Sequence, residues 1–227
     1  MKVLVLNGSP KKKSDTFRMT EAFLEGLNRN QDHDIEVVNV IEKNISACKG
    51  CFSCWMAGDG HCVINDDQNH ILDSMCESDL VIWSFPLYCY SMPSHLKAVL
   101  DRTIPLVQKN MTTSEDGTIR HEALADLSHM NTFVISGCGF PDFEGNFEPL
   151  REMIRHCFCS SQMVCVPEAP LFNILEAASV ADSLLEKFKK AGEEFSANMK
   201  LSDKTIAELE IPMIPKENYL RGVNTNQ

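Results

Sequence analysis

The chain has 227 residues, 44% of them hydrophobic, and a formal net charge of −11. That length accommodates one core with a full sheet covered on both faces, and the acidic balance opposes the phosphate attraction on which DNA or RNA binding rests. No apolar stretch is long enough to span a bilayer and Met1-Lys2 leads straight into a short apolar run, so the reading is a cytosolic protein with neither nucleic acid nor membrane as partner.

Val3 to Leu6 is an apolar run that breaks into Asn7, Gly8, Ser9 and Pro10, as a buried parallel strand does on reaching a turn. Past Lys11, Lys12 and Lys13, the residues Phe17, Met19, Ala22, Phe23 and Leu27 have helical spacing, which predicts a helix over Ser14 to Arg29. Hydroxyls and backbone amides at such a helix start favour an anion, and the lysines add positive potential. Ser9, Lys11, Ser14 and Thr16 are therefore candidate phosphate contacts, and Asp15 is counted with them in the cofactor-binding loop. Taken alone, the same residues fit an ordinary turn with a solvated lysine face and Ser14 or Asp15 as helix cap. Neither G-x-x-x-x-G-K-[ST] nor G-x-G-x-x-G is present at this loop, which argues against ATP or a Rossmann dinucleotide there.

Further strands are predicted at Ile35 to Val40, Leu80 to Phe85, Thr132 to Ser136 and Met163 to Val166. Helices are predicted over Asp67 to Cys76, Pro93 to Asp101, Phe147 to Cys157 and Ser179 to Met199. The alternation implies an α/β fold, a doubly wound five-stranded parallel sheet of order 2-1-3-4-5 in a three-layer sandwich, with the ligand crevice beyond the strands' carboxyl ends. Residues 1–200 read as one domain, and 201–227, with Pro212, Pro215, Tyr219 and Leu220, as an irregular C-terminal arm. Two connections are unusually long: Ile41 to Asp66, which holds four cysteines, and Thr103 to Asn131, which contains Glu115-Asp116-Gly117. Such loops are commonly functional or interfacial.

The third strand opens into Pro86, Leu87, Tyr88, Cys89, Tyr90, Ser91 and Met92, and the fourth into Gly137, Cys138, Gly139 and Phe140. Both loops fall on the rim where the first loop opens. Aromatic and small residues there offer a flat apolar wall with backbone donors, which a planar ring with a polar edge requires, and the two glycines permit close backbone approach. Tyr88 and Tyr90 taken alone equally fit packing or a subunit contact. Lys97 and Asp101, four residues apart, read as a helix-surface pair.

In their order and spacing, Gly8-Ser9-Pro10-Lys11 with Asp15-Thr16, Pro86-Leu87-Tyr88 ahead of Lys97 and Asp101-Arg102, and Gly137-Cys138-Gly139 resemble the NAD(P)H-dependent FMN reductases of the flavodoxin-like superfamily, over Met1 to Val166. The resemblance implies non-covalent FMN, its phosphate at Ser9, Lys11, Ser14 and Thr16, its ring framed by Pro86 to Met92 and Gly137 to Phe140. It also implies NAD(P)H as co-substrate and a flavin, quinone, nitro compound or protein as electron acceptor, with no catalytic acid or base because the flavin carries the chemistry. A non-enzymatic, flavodoxin-like electron carrier is the alternative. Two residues depart from the family pattern. Lys11 stands where arginine is frequent, a point charge without a bidentate fork. Asp15 stands where asparagine is frequent, and must either point away as a helix cap or weaken FMN binding.

In a reducing compartment the ten cysteines are thiols, metal ligands or redox groups in preference to disulfides. Cys48, Cys51, Cys54 and Cys62 read C-x2-C-x2-C-x7-C, similar to the cluster loop of the iron-sulfur flavoproteins, relatives of the same reductases. An iron-sulfur cluster, a structural zinc and free thiols at the flavin or subunit edge all fit the spacing, and the free thiols are the preferred reading. Asp66-Asp67 reads as the cap of the next helix. The exposed aromatic loop, the long second connection and the arm together predict a homodimer or higher homo-oligomer covering the flavin edge.

Overall fold

The computed structural model describes residues 1–11, 14–114, 117–124, 126–158 and 161–225; Lys12, Lys13 and the Glu115-Asp116 pair lie outside the described residues. Its strands are β1 (Lys2–Asn7), β2 (Asp34–Asn39), β3 (Leu80–Pro86), β4 (Val107–Thr113), β5 (Ile119–Ala123), β6 (Asn131–Gly137) and β7 (Ser161–Val166). Its helices are α1 (Asp15–Leu27), α2 (Ser53–Ala57), α3 (Gln68–Glu77), α4 (Ser94–Asp101), α5 (Glu148–Cys157), α6 (Ala178–Asn198), α7 (Asp203–Leu209) and α8 (Lys216–Thr225).

Five strands pair in parallel in the order β2-β1-β3-β6-β7, which is the expected sheet with β6 and β7 as its fourth and fifth strands. Val3, Leu4, Val5 and Leu6 are all fully buried because β1 is covered on both faces, and that explains why its sequence is a continuous apolar run. Alternate residues feed two cores. Val3, Val5, Ile82, Phe133 and Ile135 pack with Met19, Phe23 and Phe188 of α1 and α6. Leu4, Leu6, Val81, Trp83 and Val134 pack with Ile71, Leu96 and Leu150 of α3, α4 and α5.

On the first face α1 and α6 touch through their backbones. A Cβ added to Gly26 would lie 1.8 Å from the Lys189 carbonyl oxygen, and one added to Gly192 would lie 2.0 Å from that of Phe23. The strands are in register across the centre, with Asn7 opposite both Asn39 and Ser84, and Gly137 opposite both Pro86 and Val166. The carboxyl ends of β1, β3, β6 and β7 therefore share one rim.

Three parts of the chain differ from expectation. The Thr103 to Asn131 connection contains the antiparallel hairpin β4–β5, whose first strand carries Lys109, Asn110, Met111, Thr112 and Thr113 in the open and so shows no hydrophobic alternation. The cysteine segment contains the single helical turn α2. The expected irregular arm is instead two helices docked on the domain. Ser202 caps α7 by accepting from the Thr205 amide, Leu201, Leu209 and Tyr219 are buried, and Gln162 holds the Leu201 backbone through both its carbonyl (2.8 Å) and its amide (2.7 Å). Among the described residues no helix is long and apolar enough to cross a membrane.

Candidate cofactor site

The loop after β1 is held by its own short polar side chains. The Gly8 amide donates to the Ser84 carbonyl of β3 at 2.8 Å, the Ser9 amide to Asn7 Oδ1 at 3.1 Å and the Lys11 amide to Ser9 Oγ at 3.2 Å. Asn7 is itself fixed by donating to Asn39 Oδ1. Gly8 is set by packing: a Cβ there would lie 2.6 Å from Leu96 Cδ2. His95 Nε2 donates to the Gly8 carbonyl at 2.9 Å and pins the loop on α4. Ser14, not Asp15, caps α1, accepting from the Phe17 amide at 3.2 Å. The Asp15 and Thr16 amides in the first helical turn have no intrahelical carbonyl to meet, and the helix's positive end opens on the rim. The Asp15 carboxylate is drawn aside by Asn173, whose Nδ2 donates to it at 2.6 Å.

A cleft of about 160 Å³ is lined by Ser9, Lys11, Ser14, Asp15 and Thr16 on one wall and by Pro86, Leu87, Tyr88, Gly137, Cys138 and Gly139 on the other. The two later loops are joined by the Leu87 amide donating to the Gly137 carbonyl at 2.8 Å. Gly137 is where three segments meet, since a Cβ there would lie 3.0 Å from Ala169 Cβ and 3.2 Å from Thr16 Oγ1. Hydroxyl, ammonium and amide donors face a backbone-rich apolar wall, and this donor set fits a phosphorylated planar ring.

Five expected residues lie off the lining. Cys89 and Tyr90 form the tip of a tight turn closed by reciprocal Tyr88–Ser91 backbone bonds of 2.9 and 3.0 Å. Their φ angles of 48° and 62° are strained for residues with a Cβ, a feature that concentrates at functional rims. Ser91 Oγ turns to Met153 Sδ, Met92 is buried in the α4-side core, and Phe140 is exposed. Conversely, Ala169 and Pro170, just past β7, line the cleft and were not anticipated. Their position at the carboxyl end of the fifth strand was the available signal.

The tail supports this rim from behind. Tyr219 Oη donates to the Gly139 carbonyl at 2.6 Å, and burial pushes the phenol up to about 12. Glu168, buried at a positive φ of 57°, receives the Met213 and Ile214 amides at 2.6 and 3.1 Å while its own amide donates to the Phe140 carbonyl. Burial raises the Glu168 pKa. Lys97 and Asp101 form the expected exposed pair.

Cys48, Cys51, Cys54 and Cys62 line a second, smaller pocket together with Arg102. The loop that carries them turns through positive φ at Gly50, Phe52, Gly58 and Gly60, and α2 braces it with a Phe52–Trp55 stack at 4.7 Å and a Trp55–His121 contact at 5.1 Å to the hairpin. Ser53 lowers the Cys51 pKa by hydrogen bonding, whereas burial raises that of Cys54. Among the described residues no three His, Cys, Asp or Glu side chains converge closely enough to hold a single metal ion. Of the two acidic residues before α3, Asp66 caps the helix as expected, by accepting from the Gln68 amide in its first turn, and Asp67 does not. Asp67 makes no side-chain cap and accepts from the Asn44 amide. Asp66 turns inward to Arg102 at 2.6 Å, the Ser46 amide at 2.9 Å and the Gln68 amide at 3.2 Å.

Comparison with known proteins agrees with this geometry. An iron-sulfur flavoprotein of Archaeoglobus fulgidus is 33% identical over 105 residues, 46% of this chain and 46% of its own length. One of Methanosarcina thermophila is 31% identical over 110 residues, 48% of this chain and 56% of its own length. In these alignments the chain spans about half the length of the curated relatives it matches. Among solved structures, an FMN-dependent NADH-azoreductase from Bacillus anthracis in complex with FMN superposes with a TM-score of 0.62 at 18% identity, covering 86% of this chain and 99% of that one. An NAD(P)H:quinone oxidoreductase from Methanothermobacter marburgensis gives 0.61 at 16% identity, covering 86% and 96%. Identities this low speak to the fold alone. A family model described as a flavodoxin-like fold matches residues 1–195, the stretch that contains the whole parallel sheet and all but the tail contacts of the cleft, and the chain belongs to that family.

Proposed function

We propose that the protein is an FMN-dependent oxidoreductase that draws hydride from NAD(P)H, and that its cysteine pocket seats an iron-sulfur cluster. The observation that carries the first part is the single cleft in which Ser9, Lys11, Ser14 and Thr16 face Pro86 to Tyr88 and Gly137 to Gly139, at the rim where β1 passes to β3. FMN, when bound, supplies a ring that takes up hydride and gives electrons to a second acceptor. The residues bind and orient it. Lys11, the three hydroxyls and the start of α1 offset the phosphate charge. The Gly137 and Gly139 backbone and Tyr88 shape the apolar wall. The bound FMN and nicotinamide specificity in the names of the structural neighbours support this reading, and the acceptor is a flavin, quinone, nitro compound or protein. The exposed rings of Tyr88 and Tyr90 and the open hairpin residues Met111 and Ile119 support self-association as part of the same proposal.

The cluster is favoured over free thiols because all four cysteines face one pocket and because the curated relatives carry iron-sulfur flavoprotein names. The donor set fits by its chemistry, since four cysteines lining one pocket are the ligand number and type that an iron-sulfur centre takes. Stopped-flow mixing under anaerobic conditions tests the activity: NADH or NADPH is expected to bleach the flavin of the loaded protein. Flavin that stays oxidised with both nucleotides would remove the reductase and leave an electron carrier.

A further inference from the structure

Arg102, directly after α4, is 1% exposed, which is rare for a cation. Its guanidinium grips the cysteine loop at both feet: Nη1 donates to the Ser46 carbonyl at 3.1 Å, two residues before Cys48, and Nη2 to the Ile64 carbonyl at 3.4 Å, two residues after Cys62. The neighbouring elements complete the clamp. Gln68 Nε2 donates to the Arg102 carbonyl at 3.2 Å, and Asn69 holds the Cys62 backbone through its amide at 2.8 Å and its carbonyl at 2.9 Å. Nε of Arg102 is buried and, among the described residues, has no hydrogen-bond partner. The group forms part of the wall of the four-thiol pocket. Burial works against its charge, but the bond to Asp66 outweighs it and holds the guanidinium pKa above its ordinary value.

A clamp needs donors; it does not need a permanent charge. We infer that Arg102 is a positioning residue that also sets the reduction potential of the centre in the cysteine pocket, by fixing the loop's feet and placing a buried positive charge against the thiol set. The inference rests on the iron-sulfur reading above. A thiolate-ligated cluster is anionic and gains one more negative charge on reduction, so a fixed cation in a low-dielectric wall favours the reduced form. Asp66, bonded to the guanidinium at 2.6 Å, acts in the opposite sense.

The test is a dye-mediated redox titration of the cluster, followed by electron paramagnetic resonance, on anaerobically reconstituted full-length wild type, R102M, R102K, D66N and D66N/R102M. Iron and acid-labile sulfide are assayed on each. R102M is expected to lower the one-electron reduction equilibrium about tenfold, or about 59 mV. R102K should recover most of that, and D66N should shift the equilibrium the other way. A merely structural role does not produce opposite shifts. If R102M fails to fold, D66N/R102M against D66N gives the same comparison without an orphaned carboxylate. Iron-loaded R102M or D66N/R102M with an unmoved potential, or R102M and D66N moving in one direction, would overturn the role of Arg102 and leave the cluster standing. Wild type that retains flavin but holds neither iron nor sulfide after reconstitution would overturn the cluster reading, and this inference with it.

Discussion

Asp66→Ala is expected to lower the unfolding free energy by about 3–5 kcal/mol, the range found when one partner of a buried ion pair is removed. The side chains of Asp66 and Arg102 are 2% and 1% exposed, so the substitution leaves a buried guanidinium without its carboxylate partner. The Ser46 and Gln68 amides lose their acceptor in the same step. Acid should reproduce part of the effect. Burial raises the Asp66 pKa, but the bonds from Arg102, Ser46 and Gln68 outweigh it and bring the carboxyl to about 2. A carboxylate depressed on folding contributes stability that is fully present above its unfolded value of about 3.9 and is lost as pH falls towards its folded one. Urea unfolding at neutral pH and again between about pH 4 and 2 checks both statements. A loss under about 1 kcal/mol at neutral pH would mean that the pair is solvated as a surface bridge is.

Gly26→Ala should be nearly as damaging, by about 3 kcal/mol or more, although it adds a single methyl group. The new Cβ falls 1.8 Å from the Lys189 carbonyl oxygen, a backbone atom that cannot swing aside. Relief requires α1 and α6 to separate, which loosens Met19, Phe23, Phe188 and Phe195 in the core between them and the sheet. Gly222→Ala in α8 is the control, because its Cβ meets nothing within 4 Å and alanine is the better helix former by about 1 kcal/mol. Denaturant unfolding of the two variants should therefore give opposite signs. A Gly26 variant as stable as wild type would show that the two helices are not locked backbone to backbone.

How much of this was legible in the sequence follows from what each signal depends on. Val3 to Leu6, Leu80 to Phe85 and Thr132 to Ser136 announce themselves because strands buried on both faces must be apolar throughout, and parallel connection rules then place Ser9, Tyr88 and Gly137 on one rim without any contact being known. Asp66 was legible as a helix cap and does accept from the Gln68 amide, but its ion pair was not, because Arg102 lies 36 residues away. Gly26 and Gly192 carry no periodic signal at all, and only the crossing of α1 with α6 gives them meaning. The tail was hidden for a related reason. Tyr219 reaches Gly139 across 80 residues, and the two helices that carry it there are short and polar, so their order comes from docking. Asp15 was legible as a departure, but its diversion to Asn173 required the segment after β7 to be in place.

The donors of the first loop are expected to hold a flavin phosphate. Apo-protein titrated with FMN and, separately, with riboflavin, both followed by quenching of flavin fluorescence, measures this. The expected result is that FMN binds the wild type more tightly than riboflavin, and that Lys11→Ala weakens FMN about tenfold, the loss of about 1.4 kcal/mol from one charge-assisted contact, while leaving riboflavin unchanged. Equal affinity for the two flavins in the wild type, or binding of neither, would contradict it.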